Sequence, residues 1–304
     1  MAKEIITPST SSQVTLDFLN EERREIGYMA WPFVQATMPH RHLKDANGLE
    51  LNEFERRNGD FLITMQSPRR IGLPYGGKPR LILLWITTQA VKTQSPIIEL
   101  GKSQNDFIRS LNLGSEGSGG ENGNIRPLKD QMQRLLMCNI TCFNEGNNDK
   151  GFLMQSVKPV TAAKLYWWGA KNPEQQCLWE STLTLGHDYY SAIINSPVPV
   201  NIEALKALQR SPMAMDIYCW LTFRNSYAKT GSKIPWEVLQ MQFGAGYPKT
   251  IEGKRNFKKK FIKGLRDVMI IYPDASKLST DADNLIYVPG RPDIPKKLIP
   301  GSRG

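Results

Sequence analysis

The sequence predicts an α+β fold in which one plan is used twice. Three observations carry this. Apolar residues at helical spacing alternate with short extended runs along the whole chain. Each half has an apolar helix with a central tryptophan, an extended link, two further helices and then strands. LLWIT (Leu83 to Thr87) in the first half parallels YCWLT (Tyr218 to Thr222) in the second. Finally, the third helix of the second half, Lys254 to Arg266, combines one apolar stripe with a nearly all-cationic face.

The order helix, strand, helix, turn, helix, hairpin is that of the winged helix, a helix-turn-helix variant. The chain thus reads as two tandem winged-helix domains, 61–194 and 195–304, the second with a C-terminal tail. A short, partly flexible N-terminal extension, 1–60, precedes them. A length of 304 residues suits about two domains. The alternative is a two-domain α+β protein with unrelated halves.

Taken in order, residues 1–20 are rich in Ser and Thr and read as mobile. Gly27 to Met38 is apolar and β-leaning, broken by Pro32, and residues 44–60 are polar and turn-rich. Phe61 to Gln66 is a strand. Ile71 to Arg80, IGLPYGGKPR, is a tight loop; no Gly-Lys-Ser/Thr closes it, so it is not a phosphate-binding P-loop. Arg80 to Thr93 is a long apolar helix, Pro96 to Leu100 is extended, and Ser103 caps a second helix. Leu113 to Asn124 is a tether. Ile125 to Met137 is the third helix, with Leu128, Met132, Leu135 and Leu136 inward and Arg126, Asp130, Gln133 and Arg134 outward. Strands follow over Asn139 to Phe143, Phe152 to Val157 and Leu178 to Leu185, then a short amphipathic piece, Tyr189 to Ile194. The two prolines of Asn195 to Val200 mark the joint between domains. Helices start at Ile202 and Pro212, Lys233 to Pro235 is extended, and Trp236 to Phe243 is helical. After the basic helix, Val268 to Pro273 and Leu285 to Val288 read as strands.

The functional signal is charge. The net charge is +10, which favours an acidic partner. From Lys249 to Arg266 there are eight Lys or Arg and a single acid, Glu252. Phe257, Phe261, Leu265 and Val268 form the stripe that packs on a core, while Arg255, Lys259, Lys263 and Arg266 lie opposite, flanked by Lys258 and Lys260. Without interspersed acids, such a face suits double-stranded DNA. Lys258, Lys259, Lys260, Lys263 and Arg266 are assigned to phosphates, and Arg255, Asn256 and Lys259 to base edges. Lys254 joins this set. The first-half counterparts are Arg126, Lys129, Gln133 and Arg134. Arg on guanine and Gln on adenine each contribute ~1–3 kcal/mol of discrimination.

Other chemistries are weaker. His40-Arg41-His42 is a His-x-His of the kind metal-dependent nickases use with a tyrosine such as Tyr75, but Arg41 stands in the middle and no third acidic ligand is evident. Cys138 and Cys142 would lie ~13 Å apart on a strand and read as buried thiols; a zinc site would need Cys177 and His187 as well. Trp167, Trp168 and Trp179 read as packing aromatics rather than a base-stacking platform. No apolar run approaches the ~20 residues of a membrane span. The expectation is a cytoplasmic protein with no cofactor, no metal and no catalytic residue.

Several longer stretches carry a family resemblance. They are VQATMPHR (Val34 to Arg41), GLPYGGKPRLILLWITTQAVKT (Gly72 to Thr93), LGKSQNDFIRSLNL (Leu100 to Leu113), RPLKDQMQRLL (Arg126 to Leu136), SPMAMDIYCWLTFR (Ser211 to Arg224) and QFGAGY (Gln242 to Tyr247). With these the chain resembles the RepA-type replication initiators of broad-host-range plasmids, over about 34–290. The resemblance implies a non-enzymatic protein that binds directly repeated sites (iterons) at a plasmid origin. It also implies help in opening the duplex, recruitment of a host initiator or helicase, and exchange between monomer and dimer. The competing readings are a metal-dependent origin nickase using His40, His42 and a tyrosine, and a DNA-binding transcriptional repressor.

Overall fold

Two hydrophobic cores, one for each half, set the architecture. The computed structural model describes residues 4–7, 24–111, 125–144, 153–166, 180–244 and 246–295. Strands β1 (Glu4–Ile5) and β2 (Ile26–Ala30), helix α1 (Trp31–Gln35) and the hairpin β3 (Glu53–Asn58) and β4 (Phe61–Gln66) come first. Next are α2 (Gly77–Thr93), β5 (Ile97–Gly101), α3 (Gln104–Ser110) and α4 (Ile125–Met137). Four strands follow: β6 (Asn139–Asn144), β7 (Leu153–Ser156), β8 (Val160–Lys164) and β9 (Ser181–Leu185). Helix α5 (His187–Asn195), β10 (Pro197–Asn201) and α6 (Ile202–Ala207) lead into the second half. That half consists of α7 (Pro212–Tyr227), β11 (Ser232–Pro235), α8 (Trp236–Phe243), α9 (Ile251–Ile271), β12 (Ser279–Thr280) and β13 (Asn284–Tyr287).

The expected repetition is present in the topology. One antiparallel sheet runs β5-β9-β8 and the other β11-β13-β12, so in both halves the strand after the first helix pairs with the last strand, which pairs with the one before it. It also reaches the side chains. Trp85 of α2 meets Phe107 of α3 edge-on at 5.3 Å, and Trp220 of α7 meets Phe243 of α8 at 5.7 Å. Each half adds something of its own. Strands β6 and β7 leave the first unit to extend the β3–β4 hairpin into a sheet of order β3-β4-β6-β7, and β1 adds to the free edge of β12.

Several expectations fail for identifiable reasons. Val268 to Pro273 is not a strand: α9 continues to Ile271, because Val268, Met269 and Ile271 prolong its buried stripe. The stretch expected to be turn-rich contains β3, whose Phe54 and Arg56 alternate inward between exposed or half-buried neighbours. The Pro-containing joint is strand β10, paired with β2 from Pro197↔Ala30 to Asn201↔Ile26. Strand β8 has no counterpart among the expected elements. Leu113 to Asn124, Cys177 and Trp167, Trp168 and Trp179 lie outside the described residues, as does most of the N-terminal twenty.

The two cores are joined across β2 and α1. Met29 and Val34 belong to the core built on α7, α8 and α9, whereas Ala30 and Phe33 belong to that built on α2, α3 and α4. Between them lies a buried polar seam. Arg80 of α2 donates through Nε and Nη2 to the two oxygens of Asp216 of α7, both at 2.7 Å. Arg80 also donates to the Met38 and Gly76 carbonyls, each at 2.7 Å. Gln242 of α8 donates to the Gln35 carbonyl at 3.0 Å.

Candidate nucleic-acid interface

Helix α9 is fixed at its start and along one side. Thr250 is the N-cap, its hydroxyl accepting from the Gly253 amide at 3.1 Å, and this satisfies one of the orphan donors of the first turn. Phe257, Phe261, Leu265 and Val268 are fully buried. Each such side chain contributes about 1.5–3 kcal/mol of transfer free energy. Gly264 lets α9 approach α7 closely, since a methyl group there would stand 3.2 Å from Ile217 Cδ1 and 3.4 Å from the Ala214 amide.

The opposite face is exposed as the sequence implied, except at Arg266, which is half-buried. Arg255, Asn256, Lys259, Lys260 and Lys263 are exposed, and none of them has a hydrogen-bond or ion-pair partner among the described residues. The other cations are engaged or half-buried. Lys254 pairs with Glu237 at 2.8 Å. Lys258 donates to the Asp281 and Ala282 carbonyls at 2.9 and 3.2 Å and lies 4.8 Å over the Trp236 ring, so it ties α9 to the turn of the β12–β13 hairpin. That hairpin turn carries Asp281 and Asp283 and offers no cation of its own.

In α4, Arg126 and Gln133 are exposed and Lys129 is half-buried. Arg134, expected to point outward, is buried. Its guanidinium lies 3.0 Å from Glu50 and 3.0 Å from Asp130, beneath a loop in which Gly72 takes φ +76. Burial alone would push the Glu50 carboxyl up, but the hydrogen bonds from Arg134 and His42 outweigh it and hold it below the usual carboxylate range. The glycine-rich loop therefore packs on α4: the Tyr75 amide donates to Gln131 Oε1 at 2.8 Å. In the sequence, the signal for this strut is Asp130 at i−4 from Arg134.

The two histidines of the His-x-His serve different carboxylates. His40 Nε2 is 2.7 Å from Asp216, and His42 Nε2 is 2.7 Å from Glu50, with its ring stacked on Tyr75 at 4.6 Å. Burial lowers the His40 pKa to about 4, despite the opposing pull of Asp216. Cys138, Cys142 and Cys219 are buried free thiols, and burial pushes Cys138 up to about 11. Among the described residues no group of three or more His, Cys, Asp or Glu is placed to hold a metal, and no helix is long and apolar enough to cross a membrane.

No curated protein matches the chain. Two solved structures are similar in layout. Domains 2–3 of RctB share 12% identity at a TM-score of 0.45, covering 77% of this chain and 81% of that one. A selenomethionine form of RctB domains 2 and 3 shares 12% identity at 0.49, covering 85% and 97%. The decisive match is to a family model described as plasmid encoded RepA protein. It spans residues 73–237, from the loop before α2 into α8 and more than half of the 304 residues; the chain belongs to this family of plasmid replication proteins.

Proposed function

We propose that this chain initiates plasmid replication by binding repeated double-stranded sites at the origin through two winged-helix domains, 61–194 and 195–304, preceded by the extension 1–60. Helices α4 and α9 enter the major groove. The matching sheet orders β5-β9-β8 and β11-β13-β12, each built from the strand after the first of three helices and the last two strands of its half, support the winged-helix reading. The observation that carries the DNA reading is the unpartnered cationic face of α9 set against a fully buried stripe.

On this reading Lys259, Lys260, Lys263 and Arg266 neutralise phosphates, and Arg255, Asn256 and Lys259 reach base edges. Lys254 and Lys258 join them only by leaving Glu237 and the hairpin carbonyls. Arg126, Lys129 and Gln133 act in the same way on α4, where Arg134 holds the helix in place. Family membership supports the rest of the reading: origin opening, recruitment of a host initiator or helicase, a monomer–dimer equilibrium and a cytoplasmic setting.

The test is the salt dependence of binding. Lys259→Ala with Lys263→Ala should weaken binding to all sequences and reduce the slope of log K against log salt by about 1.8, at roughly 0.9 for each phosphate no longer neutralised. An unchanged slope removes α9 from the interface. Footprinting of the DNA flanking the gene should give protection at phased repeats; uniform coating would instead indicate binding without sequence preference.

A further inference from the structure

The DNA-facing side of α9 carries one fully exposed apolar residue; Ile262, which shares that side, is half-buried against the core. Ile251, the first residue of the helix, is 92% exposed, the most exposed large hydrophobic side chain among the described residues. It belongs to neither hydrophobic core. Capping does not explain it, because Thr250 supplies the cap. Propensity does not either, since a β-branched residue gains nothing in a first helical turn. At roughly 100° per residue, Ile251 lies only about 40° around the axis from Arg255 and about 80° from Lys259. An apolar group is therefore set beside Arg255 and Lys259, both of them exposed, with the exposed Glu252 as its neighbour in the chain.

Recognition helices present their first turns to the base edges. The base edges exposed in the major groove carry one apolar group, the C5 methyl of thymine. We propose that Ile251 packs on a thymine methyl, so that an A·T pair is specified beside the base read by Arg255. This rests on the reading of α9 as the groove-entering helix. The net positive charge of this face fits a polyanion, with Glu252 its one acid beside Ile251, and opposes the alternative, an apolar contact with another protein, because Arg255 and Lys259 would have to be desolvated with it.

The experiment uses the full-length protein and duplexes it selects from a random library. Thymines in the selected site are replaced one at a time by deoxyuridine, which lacks only the methyl group. At one position the wild type should bind about fourfold more weakly, the value of one buried methyl. Ile251→Ala should bind the thymine duplex about fourfold more weakly and be indifferent to deoxyuridine there, with thermal unfolding unchanged. The proposal fails if Ile251→Ala keeps the wild-type pattern of deoxyuridine sensitivity, if no thymine is sensitive, or if the variant unfolds at a lower temperature. A reduced salt slope in the Lys259/Lys263 double variant alongside any of these sinks only the thymine contact. An unchanged slope sinks the placement of α9 as well.

Discussion

At the scale of single residues, buried charge decides most behaviour. His40 is the clearest case, because its pKa lies near 4 in the folded protein against 6.5 in the unfolded chain. A histidine depressed in this way is neutral when folded and takes up its proton first on unfolding. Its contribution to stability is therefore intact above pH 6.5 and is lost as pH falls toward about 4. Denaturation followed across that window should show a steeper loss in the wild type than in His40→Gln; parallel curves would mean that His40 is not the titrating group. Arg134 teaches the complementary lesson. Helical spacing puts it on the outward face, yet a carboxylate eighty-four positions earlier in the chain, Glu50, draws it in. No local pattern reveals such a partner.

At the scale of elements, the helices are the legible part of the fold. Helix α4 matches its predicted bounds, and Ser103 forms a capping box with Asp106. Periodicity works wherever one face is buried and the other wet. It misleads at Val268 to Pro273, where a run apolar on all sides gives no period to read and strand and helix look alike. It is also silent on β3 and β8, whose charged or small residues lack the usual strand composition. The cationic face of α9 is legible because Glu252 is the single acid among eight Lys or Arg from Lys249 to Arg266. The engagement of Lys254 and Lys258 is not, because Glu237 and the hairpin turn come close only in three dimensions. The α7–α9 packing is itself testable. Gly264→Leu should destabilise the protein by about 1–3 kcal/mol through overpacking against Ile217 and Ala214. Gly264→Ala should be close to neutral, since a gain in helix propensity of roughly 1 kcal/mol opposes a tight contact. Urea unfolding of both variants would check this, and an equal cost for the two would mean that the interface does not discriminate by size.

At the scale of the whole molecule, the two units are held by a seam rather than a hinge. Arg80 and Asp216 are 3% and 8% exposed, and β2 pairs along the full length of β10. Breaking a buried pair strands the remaining charge and typically costs about 3–5 kcal/mol. Asp216→Asn should therefore lower stability by that order, measured by denaturant unfolding. If both units contact DNA as proposed, then under conditions where it stays folded it should also relax the dependence of DNA affinity on the spacing between their two sites. A variant as stable as the wild type, with the same spacing preference, would show that the seam is held by its apolar contacts alone.

The pairing of β1 with β12 has a temporal consequence. Glu4 and Ile5 leave the ribosome long before their partners, Ser279 and Thr280, which follow both units in the chain. While a nascent chain is being synthesised, this leading strand has no docking edge, and the closing sheet is finished only once everything between the two strands has emerged. Tags or fusions placed ahead of β1 therefore act on a late step of assembly, at the unit furthest away in sequence.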